Sequence, residues 1–338
     1  MVRKSGQKKS GQKNTGHISN FKNAGKLQRV GPDMKERESK MNKQYKSLYQ
    51  RSKDQDRTKV FAYFNFEKVN PSNGRKEFDP WLPYRPLSDL AQVDGEMWAS
   101  FEKEEGDYKF PGDNLETLAS YLNSTFMRLQ EEGKILYSAD NDRACFNPGL
   151  LDRRYHGDIY AFFGRNRNGL ENQDWLFRQF ATQSDSTRRK LLEGFAGLPE
   201  VAEYYNTENY HDLFFNLEYK TIIVSEHIVE DNTERLPHML RNDQHVAYTV
   251  IKGAIDKLYA KIRRNYKLAV PHWHNGHIQL FLPLFLTNPT KPDLALLVER
   301  LDEQKCYLGK TILTLDMAYK AARLICRPDS DWLNYTMA

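Results

Sequence analysis

The chain's densest chemistry lies between residues 261 and 277. Lys261-Ile262-Arg263-Arg264-Asn265-Tyr266-Lys267 sets cations beside an aromatic ring, and Pro271-His272-Trp273-His274-Asn275-Gly276-His277 comes shortly after. Cations hold phosphates and flat rings stack on unpaired bases, so Arg264, Tyr266, Lys267, His272 and Trp273 fit contact with single-stranded nucleic acid. The structural alternative for Arg263 and Arg264 is a helix C-terminus, where cations complement the dipole. His272, His274 and His277 are zinc-ligand types, but no second cluster of Cys, Asp and His accompanies them. A polar loop running into a buried strand is the preferred reading there, and no metal is expected.

A second constellation is Asp316, Tyr319, Lys320 and Arg323. Asp316 and Lys320 are four apart, as are Tyr319 and Arg323, so all four share one helical face. A solvated face is the default, and a polar network turned toward a ligand cleft is the alternative. In an enzyme acting on a nucleotide or RNA, a hydrolase or transferase, Asp316 would serve as general base while Tyr319 and Arg323 steady a phosphoryl charge. No G-x-x-x-x-G-K-[ST], no G-x-G-x-x-G after a strand, no H-E-x-x-H and no G-x-S-x-G occurs, so no cofactor is expected.

Charge is unevenly placed around these residues. The 338 residues carry a formal +5, but residues 1–60 hold 17 Lys/Arg against 5 Asp/Glu, a net of +12, which leaves −7 for the rest. Only 13 of those first 60 residues are apolar. So little burial cannot offset ordering entropy of about 1–2 kcal/mol per residue. Residues 1–59 therefore read as a disordered basic tail, with a weak helical stretch at about 35–49, and residues 60–338 as a single domain. A tail of this charge suits a polyanion and would add sequence-independent affinity. No apolar run reaches the roughly 18 residues of a membrane span, there is no signal-peptide pattern, and Cys145, Cys306 and Cys326 make no disulfide framework. The expectation is a soluble, cytoplasmic protein without a membrane partner.

The elements are read from spacing. Val60–Phe66 reads as a strand, and 79–86 as a Pro-rich connector with a short helix in 87–102. Leu115, Leu118, Ala119, Leu122, Phe126 and Leu129 mark a helix that Asp113 or Asn114 caps and Gly133 stops. Strands come next at 134–137, 145–151 and 158–164, and with that helix they could form a small winged unit. Residues 173–205 read as helical, 213–215 and 220–225 as strands, and 246–262 as a strong amphipathic helix. Residues 278–286 and 293–299 are strand-length apolar runs central to a sheet, and 311–326 is the last helix. The sum is α+β, a mixed sheet with packed helices, with no long internal repeat.

The C-terminal half also resembles the domain-of-unknown-function 3825 family. The resemblance rests on Arg264 to Pro271, Ile278 to Leu284, Asp293 to Glu299, Tyr307 to Tyr319, Ala322 to Ile325, and Arg327-Pro328-Asp329 with Trp332-Leu333. Upstream, Phe146-Asn147-Pro148-Gly149-Leu150, Asp158 to Ala161 and Glu234-Arg235-Leu236-Pro237 fit as well. Some members resemble fusions to cold-shock-like or other RNA-binding modules, which implies association with nucleic acid, RNA favoured. The polar positions the resemblance marks are Asn147, Arg235, Arg264, Asn265, Lys267, Gln279, Asp316, Tyr319 and Arg323. The functional expectation is an RNA-binding protein with its site in the C-terminal half. A nucleotide- or RNA-directed enzyme and a protein-interaction scaffold are the alternatives.

Overall fold

The aromatic segment 60–66 enters the structure as one edge of a five-stranded sheet, and the chain builds that sheet around it. The structure is a computed structural model that describes residues 44–91, 98, 102–104, 107–109, 114–167, 172–182, 191–224 and 228–325. The first strand, β1 (Ala62–Tyr63), leads into the hairpin β2 (Glu67–Val69) and β3 (Lys76–Phe78), then the short helix α1 (Arg85–Leu90). A ribbon of β4 (Glu102–Glu104) and β5 (Asp107–Lys109) precedes α2 (Glu116–Glu131). Asn114 Oδ1 accepts from the Glu116 N–H at the start of α2, and Gly133 at φ +69° ends it. An antiparallel meander comes next: β6 (Leu136–Tyr137), β7 (Arg143–Phe146), β8 (Ile159–Arg165) and β9 (Trp175–Thr182). Its last strand returns to pair in parallel with β1, giving the order β1-β9-β8-β7-β6.

The second half repeats the plan. Strand β10 (Lys220–Ile222) is succeeded by α3 (Gln244–Ile262), then by the meander β11 (Val270–His274), β12 (His277–Leu284), β13 (Leu294–Leu301) and β14 (Cys306–Leu313). β14 pairs in parallel with β10, and the order is β10-β14-β13-β12-β11. The helix α4 (Leu315–Ala322) closes the described chain. Each sheet has one helix on its inner face: Leu118, Leu122 and Phe126 of α2 pack with Phe146, Phe163 and Trp175, and Ile251, Ile255 and Leu258 of α3 pack with Leu282, Leu296 and Ile312. Each outer face is covered by the segment C-terminal to the last strand. Leu191, Leu192 and Phe195 lie against Tyr160 and Phe162, and Leu315, Ala318 and Tyr319 lie against Phe281 and Ala295. Strands buried on both faces are apolar throughout, which is why 278–286 and 293–299 read as they do.

The halves match in register as well as in topology. In the first, Phe163 pairs with Phe177 and Phe162 with Gln179, so Arg178 is bulged out; in the second, Val298 pairs with Gly309 and Leu297 with Thr311, so Lys310 is bulged out. Aligning on the bulges places Asp158-Ile-Tyr-Ala-Phe-Phe-Gly-Arg165 over Asp293-Leu-Ala-Leu-Leu-Val-Glu-Arg300, and Trp175-Leu-Phe-Arg178 over Tyr307-Leu-Gly-Lys310. The molecule contains two copies of one unit, each with a mixed sheet, which corrects the expectation of no long internal repeat.

Other expectations change too. Residues 44–59 belong to the body: Tyr45, Leu48 and Tyr49 are buried, Tyr45 N donates to Gln130 Oε1 at 2.8 Å and Leu48 N to Asn123 Oδ1 at 3.0 Å. Low apolar density puts the tail boundary at residue 59, yet three well-placed rings and leucines suffice to anchor this stretch. Residues 1–43 and the helical expectation at 35–43 lie outside the described residues, and residues 44–49 are not helical. The winged unit is absorbed into the first sheet. Residues 175–182 are strand rather than helix, 213–215 close a 3-10 turn rather than a strand, and the last helix starts at Leu315 because β14 runs through Leu313. The fold is α+β as expected, and no helix among the described residues is long and apolar enough to cross a membrane.

Candidate functional site

Four of the expected binding residues sit together at the end of α3. Arg264, Asn265, Tyr266 and Lys267 are all exposed, Tyr266 at 61%. Arg263 is the C-cap, and Arg264 Nη1 donates to the Ala260 carbonyl at 2.6 Å, so these cations do serve the helix end. Asn265 Oδ1 accepts from the Lys267 N–H at 3.1 Å and fixes the turn that presents Tyr266 against Phe214, with ring centroids 5.8 Å apart.

Three others are structural. Asn147 is buried, and its Oδ1 accepts from the Gly149 N–H at 2.8 Å in a turn where Gly149 has φ +75°. Arg235 Nη1 donates to the Ile312 carbonyl at 2.7 Å and to Asn232 Oδ1 at 2.5 Å, fastening the 3-10 segment 230–235 to β14. Gln279 is buried in β12 opposite His272 in β11, with its Oε1 unpartnered.

The remaining candidates line the seam between α4 and α2. Lys320 Nζ lies 2.9 Å from Asp316 and 3.1 Å from Glu116, so it ties α4 to the first turn of α2. Tyr319 is buried at 2% exposure in the layer over the second sheet, and the Arg323 guanidinium lies 4.9 Å from both the Trp98 and Tyr121 rings. This face is thus not solvated: it packs onto the other copy. A groove of about 500 Å³ runs beside the seam, lined by Ser120, Ser124 and Arg128 of α2, His272 and Trp273 of β11, and Lys320. Trp273 carries the Arg128 guanidinium 4.4 Å above its ring and Tyr204 edge-on at 5.7 Å. Burial pushes His272 down to about 4, so its ring is neutral near pH 7 while its Nδ1 meets the Ala321 carbonyl at 3.2 Å. Among the described residues no group of three or more His, Cys, Asp and Glu is placed to hold a metal ion.

A second pocket lies elsewhere, largely in residues that read as tail, strand and connector. It is an open cleft of about 510 Å³ between Tyr49, Tyr63, Phe64, Phe66, Trp81 and Tyr84, with the 72%-exposed Phe78 beside them. Tyr49 meets Tyr84 at 5.6 Å and Phe64 at 5.5 Å, and its hydroxyl donates to the Ala119 carbonyl of α2 at 3.2 Å. Arg51, Lys53 and Arg57 also line the pocket, and all three are exposed.

Local polar bonds shape both sides. Gln55 folds the 50–59 loop back, its Oε1 accepting from the Arg51 N–H at 2.6 Å and its Nε2 donating to Ser47 Oγ. Asp56 caps the turn that carries Arg57, accepting from the Thr58 N–H at 3.0 Å. On the other side Asp79 accepts from the Trp81 N–H at 3.0 Å and pairs with Lys68 at 3.2 Å. Burial pushes the Asp79 carboxyl up, but these donors outweigh it and hold the group below its ordinary range.

Two buried polar atoms of this pocket have no hydrogen-bond partner, Tyr84 Oη and Gln173 Oε1. An unmet buried polar atom costs about 1–3 kcal/mol. Burial keeps the Tyr84 phenol protonated, well above its ordinary value. The signal in the sequence is that aromatics at 45 and 49 run straight into Arg51, Lys53 and Arg57, the same mixture that marks 261–267.

Comparison with curated proteins and with solved structures finds no match. Most of the aromatic wall, residues 49–84, precedes the region of family similarity, while Glu116, Ala119 and Gln173 fall inside it. That similarity is to the domain of unknown function DUF3825, it spans residues 93–332, and the chain belongs to that family.

Proposed function

We propose that this protein binds single-stranded nucleic acid, RNA favoured, and that the aromatic pocket is where an unpaired base stacks. The observation that carries the reading is the pocket itself: rings on its walls and three cations among its lining residues. Rings stack on any base and cations engage the backbone. The exposed run Arg263 to Lys267 is a second surface of the same chemistry, and the basic N-terminal segment adds non-specific affinity.

Fluorescence polarisation with a labelled single-stranded RNA decides between the two surfaces. Trp81→Ala is expected to weaken binding by about 1–3 kcal/mol, the usual cost of losing one stacking partner. Tyr266→Ala is expected to cost less. If affinity tracks Tyr266 and ignores Trp81, the base site lies at the end of α3 and the pocket reading fails. If the full chain binds no RNA at low salt, the proposal as a whole is rejected.

A further inference from the structure

We infer that the strand whose base enters the aromatic pocket continues across α1 to the turn of residues 151–157, where Arg154 takes one of its phosphates. The inference rests on the reading that the pocket stacks an unpaired base, and adds where the rest of the strand goes. Tyr84, a wall of the pocket, is the N-cap of α1. Leu90 and Ala91, at the other end of that helix, hold the turn. The Arg153 N–H donates to the Leu90 carbonyl at 2.9 Å, and Arg153 Nε donates to the Ala91 carbonyl at 3.3 Å. At about 1.5 Å per residue the two ends of α1 stand about 10 Å apart. A stacked strand covers that distance with about three nucleotides at roughly 3.4 Å each.

The turn is fixed, basic and uncommitted. The one carboxylate in its sequence, Asp152, is buried and engaged by the backbone N–H groups of Arg154, Tyr155 and Gly157. The Asp152 N–H donates to the Gly157 carbonyl at 2.8 Å and the His156 N–H to the Asp152 carbonyl at 3.1 Å, so the turn is tied at both ends. Arg153, Arg154, Tyr155 and His156 are all exposed, Tyr155 at 61%. The Arg154 guanidinium lies 5.2 Å from the Tyr155 ring centroid and, among the described residues, has neither an ion pair nor a hydrogen bond. Other arginines are engaged within the fold, Arg128 with Glu132 at 2.6 Å and Arg300 with Asp302 at 2.7 Å. A guanidinium is a planar fork that matches two phosphate oxygens, and a ring beneath it holds it ready at little further entropic cost. No carboxylate of the turn competes for it.

Fluorescence polarisation of the full chain with a labelled single-stranded RNA decamer, read across a salt series, tests this. Arg154→Ala should weaken binding severalfold at low salt and lower the slope of log affinity against log salt by about 0.7, the share of one phosphate on a single strand. Arg154→Lys keeps the charge and should restore the slope. Tyr155 is a positioning residue, so Tyr155→Ala should weaken binding at every salt concentration without changing the slope, and Tyr155→Phe should bind as wild type does. Lys252→Ala removes the same charge from an exposed position on α3 and should change neither affinity nor slope. Because the Arg154 side chain bonds to nothing in the fold, its removal leaves the fold in place. An Arg154→Ala variant that keeps the wild-type slope, or that loses no more than Lys252→Ala does, overturns the inference. If Trp81→Ala still weakens binding in that case, the base-stacking reading stands. An effect of Arg154 without one of Trp81 also overturns it, since the strand would not start from the pocket. A full chain that binds no RNA removes the inference and the underlying reading together.

Discussion

Single polar side chains divide sharply between those whose hydrogen bonds build the fold and those buried with an unmet atom. Asp152 shows the first kind. It is buried, and its carboxylate accepts from the N–H groups of Arg154 at 2.9 Å, Tyr155 at 2.8 Å and Gly157 at 2.8 Å. Burial raises its pKa, but the three backbone donors outweigh this and hold the carboxyl below its ordinary range. The unfolded chain, with an Asp near about 3.9, therefore takes up this proton first as pH falls. The stabilisation is complete above that value and is lost as pH drops through the folded value. Urea unfolding of wild type and Asp152→Asn should thus differ most at pH 6–7 and converge as acid protonates the folded carboxyl. A gap that does not shrink with acid would show that the ionised form contributes nothing. Gln173 and Gln279 are the second kind, each buried with an Oε1 that has no partner, and no sequence pattern distinguishes them from Asn147. The difference is whether a partner is present, and partners such as Ile312 for Arg235 lie 77 residues away. Exposure is easier to read: Arg264 to Lys267 emerge together because a helix end running into a polar stretch has nowhere else to go.

At the scale of elements, the bulges explain most of what the sequence conceals. Trp175, Leu176 and Phe180 fit a helical spacing, yet Trp175, Phe177 and Phe180 lie on one face of a strand because Arg178 is looped out between the last two. A central strand apolar on both faces that also skips a residue has lost its period of two. The long helix 244–262 carries its period unbroken and is legible, as are β12 and β13. β14 is hidden for the same reason as β9, and Thr314 just beyond it caps α4 by accepting from the Met317 N–H at 3.3 Å. Gly309 tests how tightly this strand is packed. A Cβ there would stand 2.8 Å from Ile223 Cγ2 and 3.4 Å from Leu296 Cδ1, in the space between the edge strand and the core. Gly309→Val should destabilise the protein by about 1–3 kcal/mol through overpacking, measured as a lowered urea midpoint. Gly74→Ala, at φ +68° with open space around it, should lose less, and only through backbone strain. Equal losses at the two sites would mean that β10 moves aside freely.

For the molecule as a whole, the two copies are informative where they differ. Between the edge strand and the helix, the first copy inserts residues 64–115 and the second only 223–243. The longer insertion, together with residues 44–59, supplies most of the aromatic pocket, so one copy carries an added pocket while the other keeps the bare frame. α4 joins them, since Lys320 and Arg323 leave the second sheet's outer layer to reach Glu116, Trp98 and Tyr121. Charge is divided on a different plan. Residues 1–43 hold 12 Lys/Arg and 3 Asp/Glu, net +9, which leaves 38 and 42, net −4, for residues 44–338. A net-negative body repels a polyanion at long range, so its pocket can engage one only at close quarters, while the N-terminal segment attracts over a Debye length of roughly 8 Å at physiological salt. The two contributions separate in a salt titration. Each phosphate neutralised on a single strand adds a slope of about 0.7 to log affinity against log salt. A chain beginning at residue 44 keeps the cations Arg51, Lys53 and Arg57 of the pocket, for a slope of about 2 if all three engage phosphates, and about 0.7 more for each of Arg154, Arg263, Arg264 and Lys267 that also does so. The full chain should be distinctly steeper, with the two affinities converging above about 0.5 M salt, where counterion release has little left to give. Trp81→Ala should lower both lines without changing either slope, because stacking releases no counterions. Equal slopes for the two chains would place every phosphate contact on the body and leave the basic segment with no part in binding.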